Sequence, residues 1–258
     1  MAEQMITSRD NGRLMAARRV RDGRDKFRIF IEGRRLTDEA VRSGMKITEC
    51  FISDEFEDPD FMSSIDAPRF RMPAKIFGTL ADTESPQGII LVAERPSVLP
   101  FKKTLLPLTL FLNEINNPSN LGAILRTAEA AGVGHVVLSK GSTDPYSPKA
   151  LRASMGSAFR ISIEEGESLK EAAVVTRERG GIATGVDVNG TQNYLEADWS
   201  KPRMLVFGSE AHGLSDDEKS VLDETLQIPM ASGVESLNLA VSAAVVLFEA
   251  RRQLTTSV

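Results

Sequence analysis

The sequence predicts an α/β fold in two parts, in which strands alternate with helices. Short apolar runs recur along the chain and are separated by stretches with helical spacing, the pattern of a sheet covered by helices. A proline-rich stretch near residue 100 interrupts this alternation, which restarts beyond it. The 258 residues are enough for one large or two medium domains.

Residues 1–97 are predicted to form a small α/β unit. Its expected helices are Asn11–Val20 and Arg34–Arg42, the second of which ends at Gly44, and its expected strands are Phe27–Ile31, Ile47–Ile52, a short strand ending at Met72, and Gly88–Val92. Residues 98–107 begin after Ser97 and contain Pro100 and Pro107, so they are predicted to be a linker.

Residues 108–258 are predicted to form a larger α/β domain around a parallel sheet. The strands are apolar throughout rather than alternating, as expected when both faces are covered. They are expected at Leu108–Leu112, His135–Leu138, Ile182–Val186, Met204–Phe207 and Thr225–Ile228. The covering helices are expected at Leu121–Ala131, Pro148–Met155, Ser168–Arg179, Ser215–Leu222 and Leu237–Leu254.

The composition excludes several classes of protein. Cys50 is the only cysteine, so no internal disulfide can form, which suits a reducing cytoplasm. His135 and His212 are the only histidines, too few with one cysteine for a typical zinc site. The sequence has neither an apolar leader at its N-terminus nor a long apolar run, so neither export nor a membrane span is expected.

The charge is unevenly distributed along the chain. Residues 1–50 carry 12 Lys and Arg against 8 Asp and Glu, a net charge of +4, whereas the whole chain has a net charge of −5. The planar guanidinium of arginine suits phosphate, so this cluster is either a solvated surface or a nucleic-acid contact. The candidate residues for such a nucleic-acid contact are Arg9, Arg13, Arg18, Arg19, Arg34 and Arg35.

Three polar segments in the second part follow strand-like runs and open helix-like ones. They are Asn116–Gly122, continuing to Arg126; Gly208–Leu214; and Ile228–Asn238. Such junctions at the carboxyl ends of strands are where ligands bind in open α/β sheets. Each also has a purely structural explanation: an Asx turn at Asn117, a glycine-stabilised turn after Gly208, and a helix cap at Ser236.

The convergence of the three segments favours a binding site over these structural explanations. A serine, an asparagine, an arginine and a glutamate are expected to meet in one polar pocket, where backbone N–H groups at a helix start favour an anion. The chain has no G-x-G-x-x-G or G-x-x-x-x-G-K-[ST] motif, which argues against dinucleotide-dependent and nucleoside-triphosphate enzymes.

The three segments resemble, in order and spacing, motifs one to three of the SpoU/TrmH branch of the SPOUT RNA methyltransferases. The segments Asp144–Lys149 and Arg152–Ser157 also match the family, and the resemblance covers roughly residues 105–254. The segments Ile6–Asn11 and Phe30–Leu36 resemble, less specifically, the ribosomal-protein-like RNA-binding domain found in this family.

The resemblance implies a trefoil-knotted C-terminal domain, a homodimer whose site is completed across the interface, and S-adenosylmethionine as cofactor. The implied cofactor-binding residues are Thr184, Gly185, Gly208, Ile228, Met230 and Leu237. The implied reaction is methylation of a ribose 2′-OH in structured RNA, ribosomal RNA rather than transfer RNA. The implied catalytic residues are Arg126, Asn120, Glu210, Ser236 and Asn238.

The chemistry of arginine limits what Arg126 can do. A guanidinium has no free acceptor and a very high pKa, so electrostatic stabilisation of phosphate and developing alkoxide suits it better than acting as a base. The proton would then leave through the phosphate, a water or Glu210. The alternatives left open are a non-catalytic RNA-binding protein that keeps the knot as a scaffold, a transfer RNA methyltransferase, and a methyltransferase acting on a base or a protein.

Overall fold

The computed structural model describes residues 3–97 and 107–256. The predicted linker at 98–107 lies outside the described residues except for Pro107. The chain forms two compact units: residues up to 97 together with 145–159, and residues 107–144 together with 160–256. The segment 145–159, which sequence analysis placed in the second part, therefore packs with the first unit.

Strands and helices alternate along most of the chain. Up to residue 97 they are β1 (Glu3–Met5), α1 (Gly12–Arg21), β2 (Arg28–Glu32), α2 (Arg34–Arg42), β3 (Ile47–Ser53), α3 (Pro59–Ser63), β4 (Arg69–Met72), α4 (Ala74–Leu80) and β5 (Ile89–Glu94). From residue 107 they are β6 (Leu108–Leu112), α5 (Pro118–Ala131), β7 (His135–Ser139), α6 (Pro148–Ser154), β8 (Ser162–Glu167), α7 (Leu169–Glu178), β9 (Ile182–Val186), β10 (Gln192–Asn193), β11 (Arg203–Phe207), α8 (Asp216–Ser220), β12 (Glu224–Gln227) and α9 (Leu239–Thr256).

The first unit is a mixed sheet in the order β1-β4-β3-β5-β2. β4 runs parallel to β1 and β3, whereas β5 is antiparallel to both β3 and β2. Helix α1 buries Leu14, Ala17 and Val20, three residues apart on one face, against the aromatic rings of Phe51 and Phe70. The predicted strands and helices of residues 1–97 are present, and β1, α3 and α4 add to them.

The second unit is a parallel sheet in the order β10-β12-β9-β11-β6-β7-β8. Leu110, Phe111 and Leu112 are consecutive and fully buried, so both faces of the sheet are covered, as the sequence predicts. On one face Leu169 and Ala173 of α7 pack with Phe111 and the neighbouring strands. Helices α5 and α9 pack against each other.

Candidate functional site at the carboxyl ends of the strands

A cavity of about 510 Å³ opens in the second unit where several strands end. It is formed by the loops after β9, β11 and β12 together with the starts of α5 and α9. Its lining residues include Asn120, Asp187, Asn189, Phe207, Gly208, Ser209, Glu210, Gly213, Ile228, Met230, Ser236, Leu237, Asn238 and Ser242. The cavity thus lies where ligands bind in open α/β sheets.

The first junction places Asn120 in the first turn of α5. Asn117 caps this helix, because its side chain accepts a hydrogen bond from the N–H of Ser119 at 2.9 Å. Pro118 occupies the first helical position, where its missing N–H costs nothing. With the cap supplied by Asn117, the amide of Asn120 is left free to bond to other side chains.

The second junction is a tight hairpin that follows β11. The backbones of Ser209 and Gly213 exchange hydrogen bonds at 3.0 and 2.9 Å. A Cβ on Gly208 would lie 2.2 Å from the carbonyl carbon of Gly213 and 2.6 Å from the N of Leu214, so no side chain fits there. The glycine is therefore required by close backbone approach, and it allows the hairpin to present Glu210.

The third junction starts α9, and Asn238 rather than Ser236 caps it. The side chain of Asn238 accepts from the N–H of Ala240 at 2.9 Å, and its carbonyl accepts from the N–H of Ser242 at 2.9 Å. The structural explanation that assigned the cap to Ser236 is therefore wrong. Ser236 is instead an exposed residue lining the cavity.

A hydrogen-bonded network joins the three junctions. Glu210 accepts from the Asn117 N–H through Oε2 at 3.1 Å and from Asn120 Nδ2 through Oε1 at 2.5 Å. Asn120 Oδ1 in turn accepts from Asn238 Nδ2 at 3.2 Å. Each oxygen of the carboxylate thus accepts a hydrogen bond, and the Asn120 amide is fixed from both ends.

The structure does not bring all the predicted site residues into the cavity. Thr184 is fully buried, where its hydroxyl donates to Glu224 at 3.1 Å and accepts from Arg203 at 2.5 Å. A Cβ on Gly185 would lie 2.6 Å from Leu222 Cδ1, so the Leu222 side chain occupies the space beside this glycine. Neither residue lines the cavity, whereas Gly208, Ile228, Met230 and Leu237 do.

Arg126 is exposed on α5 and does not line the cavity of its own chain. Its guanidinium makes neither a hydrogen bond nor an ion pair with any residue in the described parts of the chain.

Sequence reasoning missed Asp187 and Asn189, which contribute to the cavity from the loop after β9. Asp187 pairs with Lys219 at 3.1 Å, and its Oδ1 accepts from the N–H of Asn189 at 2.9 Å. The signal was present, since both residues directly follow a predicted buried strand, as the three recognised junctions do. Gly190 closes this loop, because a Cβ there would lie 2.3 Å from the backbone of Leu226.

The structure divides the arginines of the first unit into two groups. Some are held by neighbours: Arg13 pairs with Glu49 at 3.0 Å, Arg34 with Asp58 at 2.7 Å, and Arg18 donates to the hydroxyl of Thr79 at 2.6 Å. The other candidate RNA-binding residues have no side-chain partner among residues 3–97 and 107–256. They are Arg9, Arg19 and Arg35, all exposed.

A second cavity, of about 500 Å³, lies at the amino ends of β6, β7 and β11, near Leu108, His135 and Arg203. That end of a parallel sheet does not normally bind ligands, so the cavity at the carboxyl ends is the better candidate.

No cluster of potential metal ligands occurs in the described part of the chain. Among the same residues, no helix is long and apolar enough to span a membrane.

Two family patterns match the chain. That of the SpoU rRNA methylase family matches residues 107–248, and that of the MRM3-like substrate-binding domain matches residues 12–91.

Relatives and solved structures match over most of the chain. The mitochondrial rRNA methyltransferase 3A of Danio rerio is 32% identical over 94% of this chain and 68% of its own length. The 23S rRNA (guanosine(2553)-2′-O)-methyltransferase RlmP of Bacillus subtilis is 30% identical over 86% of this chain and 88% of its own. The structure of an AdoMet-bound rRNA methyltransferase from Sinorhizobium meliloti superimposes with a TM-score of 0.84, at 27% identity, covering 98% of each chain.

The family match spans more than half of the chain, and it includes all three segments that meet at the cavity. The chain therefore belongs to the SpoU rRNA methylase family.

Proposed function

We propose that this protein transfers a methyl group from S-adenosylmethionine to a ribose 2′-OH of ribosomal RNA. The observation that carries the proposal is the Glu210–Asn120–Asn238 network, which joins three separate junctions around one cavity. A fold that needed only turns and caps would not have to link these side chains to one another. The 2′-O-methyltransferase activity of the Bacillus relative supports the same reaction.

The residues around the cavity fit S-adenosylmethionine. The volume of about 510 Å³ lies within the range of about 300–1,000 Å³ typical of small-molecule sites. Ile228, Met230 and Leu237 supply apolar surface for an adenine ring, and Gly208 also lines the cavity. When bound, the cofactor supplies an electrophilic methyl group on a sulfonium.

The chain's own residues orient the nucleophile and balance charge. The carboxylate of Glu210 holds the Asn120 amide, and Asn238 fixes its other end, so this polar edge is set before RNA binds. Ser236 is exposed on the cavity wall, where its hydroxyl can bond to a ribose. Glu210 is a carboxylate on the cavity wall that can accept the 2′-OH proton, directly or through a water.

The guanidinium of Arg126 has no acceptor atom, so we assign it to the phosphate beside the reacting ribose rather than to proton abstraction. Its position on α5, away from the cavity of its own chain, leads us to place it in the site of a second copy. The outer face of α9 supports this homodimer, because Val241 is 49% and Phe248 47% exposed, in the first and third turns of the helix. Burying such a stripe against its equivalent would join two copies.

The first test is incubation of the full-length protein with tritiated S-adenosylmethionine and total RNA from cells that lack its gene. We expect label in 2′-O-methylnucleosides from ribosomal RNA, and none with Arg126→Ala. If wild-type protein transfers no label and calorimetry detects no cofactor binding, the enzyme proposal fails and an RNA-binding scaffold replaces it.

A complementation experiment tests where Arg126 acts. Arg126→Ala and Asn238→Ala are each expected to be inactive as homodimers, and are then mixed, dissociated and reassociated. If Arg126 serves the partner's site, about a quarter of wild-type activity returns, because half of the re-formed dimers are mixed and each of these has one intact site. If Arg126 serves the site of its own chain, both sites of a mixed dimer contain one altered residue, so mixing restores nothing.

We also propose that the second unit is a trefoil knot, which the tight passages at Gly190 and Gly208 support.

The cytoplasm is the compartment that we propose. In support, Cys50 is the only cysteine of the chain, so no internal disulfide can form, as suits a reducing compartment.

A further inference from the structure

The segment from Arg19 to Arg28 combines an exposed aromatic ring with cations that have no partner. Phe27 is 83% exposed, the largest exposed fraction among the exposed large apolar residues of the described chain. Arg19, Arg24 and Lys26 are exposed and make no ion pair or side-chain hydrogen bond with any residue that the structure describes. A single exposed apolar residue is ordinary, but its position among unpaired cations requires an explanation.

The backbone beneath these side chains is rigid. Helix α1 ends in a Schellman motif: the Arg24 N–H bonds to the Arg19 carbonyl at 2.9 Å, the Gly23 N–H bonds to the Val20 carbonyl at 3.0 Å, and Gly23 has a φ of +68°. The chain therefore turns back on itself, which brings Arg24 beside the end of the helix that carries Arg19.

Asp25 then fixes the position of Phe27. Its Oδ1 accepts from the N–H groups of Phe27 and Arg28 at 2.9 and 3.1 Å, and its Oδ2 accepts from the Arg28 side chain at 3.0 Å. The Phe27 carbonyl accepts from the Arg95 N–H at 2.7 Å. The ring is thus held out from an ordered backbone rather than from a loose loop.

The acidic groups near the patch formed by Phe27, Arg19, Arg24 and Lys26 are already neutralised. Asp22 pairs with Arg21 at 2.9 Å, Asp25 with Arg28 at 2.9 Å, and Glu94 with Lys46 at 2.6 Å. The charges of Arg19, Arg24 and Lys26 therefore remain uncompensated, and the patch attracts an anion. An aromatic face beside free cations is the combination that binds an unpaired nucleotide, whose base stacks while its phosphates meet the cations.

We propose that Phe27 stacks on an unpaired base of the RNA substrate while Arg19, Arg24 and Lys26 hold the flanking phosphates. The inference rests on the proposed function in that RNA is the substrate. It deepens that function, because it makes a loop or bulge, rather than a continuous duplex, the feature that the first unit recognises. Arg13, Arg18 and Arg34 keep structural roles, since their guanidinium groups are already bonded within the unit.

The test compares two fluorescein-labelled RNA probes by anisotropy, a hairpin with an unpaired loop and a blunt duplex of the same stem. Phe27→Ala is expected to weaken hairpin binding about tenfold or more and to leave duplex binding unchanged, whereas Phe27→Trp restores hairpin binding. Met5→Ala removes another exposed apolar side chain of the same unit and is the matched control. Equal melting temperatures will show that each variant is folded.

The charges are tested separately. Replacing Arg24 and Lys26 with glutamine is expected to weaken binding to both probes and to lower the salt dependence of binding by about one unit per charge removed. Arg42→Gln removes an exposed arginine that already pairs with Asp38 at 3.0 Å, and we expect little change.

The outcomes separate this inference from the proposed function. If Phe27→Ala binds the hairpin as tightly as the wild type does, or loses both probes equally, stacking is overturned whatever the methyl-transfer assay gives. If hairpin binding depends on Phe27 but no methyl group is transferred, stacking stands and the proposed enzyme activity fails. If the wild type binds neither probe, the stacking proposal falls, and the methyl-transfer assay alone decides the proposed enzyme activity.

Discussion

Replacing Gly208 with alanine tests whether the hairpin after β11 forms the cofactor site. The added Cβ would lie 2.2 Å from the carbonyl carbon of Gly213, whereas ordinary contacts begin at 3.4 Å. The two backbone segments must therefore separate by about 1.2 Å, with a cost of about 1–3 kcal/mol for the strain. The atoms that give way are backbone rather than the end of a flexible side chain, so relaxation elsewhere cannot absorb the clash.

That displacement shifts Glu210, which the same hairpin carries, away from Asn120. A misplacement of about 1 Å can cost about a hundredfold in rate, and we expect losses of this order in methyl transfer together with weakened S-adenosylmethionine binding. Isothermal titration calorimetry measures the cofactor affinity, and transfer of tritiated methyl to RNA measures the rate.

The matched control is Gly78→Ala, because a Cβ at this helical glycine meets nothing within 4 Å. It is expected to keep both cofactor binding and activity. Should Gly208→Ala bind the cofactor with wild-type affinity while remaining folded, the assignment of this hairpin to the cofactor site would be refuted.

Three further predictions concern other contacts. Asn120→Asp places a second carboxylate where the amide now lies 2.5 Å from Glu210, so methyl transfer should fall more than in Asn120→Ala. Activity of Asn120→Asp should recover partly at lower pH, where a shared proton relieves the repulsion between the two carboxylates. Identical pH profiles for Asn120→Asp and Asn120→Ala would contradict this. Arg203→Ala removes a side chain that is 1% exposed and should lower the free energy of unfolding by about 3 kcal/mol. Arg177 is about half-exposed, so Arg177→Ala should lower it by less than about 1 kcal/mol. Denaturant titration measures both. Burial alone would raise the pKa of Asp25, but hydrogen bonds from its neighbours lower it below the usual 3.8. The stability difference between wild type and Asp25→Asn should therefore be complete above about pH 4 and vanish as pH falls through the lowered pKa. A difference that grows in acid would refute this assignment.

Strands with a buried apolar run were predictable, even at a sheet edge in the case of β2, whereas edge strands without such a run were not. β6 and β9 have the predicted bounds, Leu108–Leu112 and Ile182–Val186, because their burial imposes an apolar run that the sequence displays. β8 contains three glutamates and lies at the end of its sheet, with water on its outer side, so nothing in its composition indicated a strand. The membership of residues 145–159 in the first unit depends on contacts distant in sequence, which local patterns do not contain.

The candidate site was predictable to a similar degree. The rule that ligands meet the carboxyl ends of strands led to Asn120, Glu210 and Asn238, and the structure brings these three together. It did not place Thr184, whose burial beside Arg203 depends on the neighbouring strands rather than on its own segment. In the homodimer that we propose, Arg126 acts in the site of a second copy, which no pattern within one chain can locate.

The segment 145–159 decides how this protein can be divided for engineering. Within the first unit, α6 packs on β2, Arg152 pairs with Asp82 at 2.8 Å, and the guanidinium of Arg95 lies over the ring of Tyr146 at 4.6 Å. A gene cut near residue 100 would therefore leave the N-terminal fragment without part of its own structure. The C-terminal fragment would carry Ala150 and Leu151, now fully buried, with no partner for them. A transplantable RNA-binding module from this protein has to include both pieces of chain.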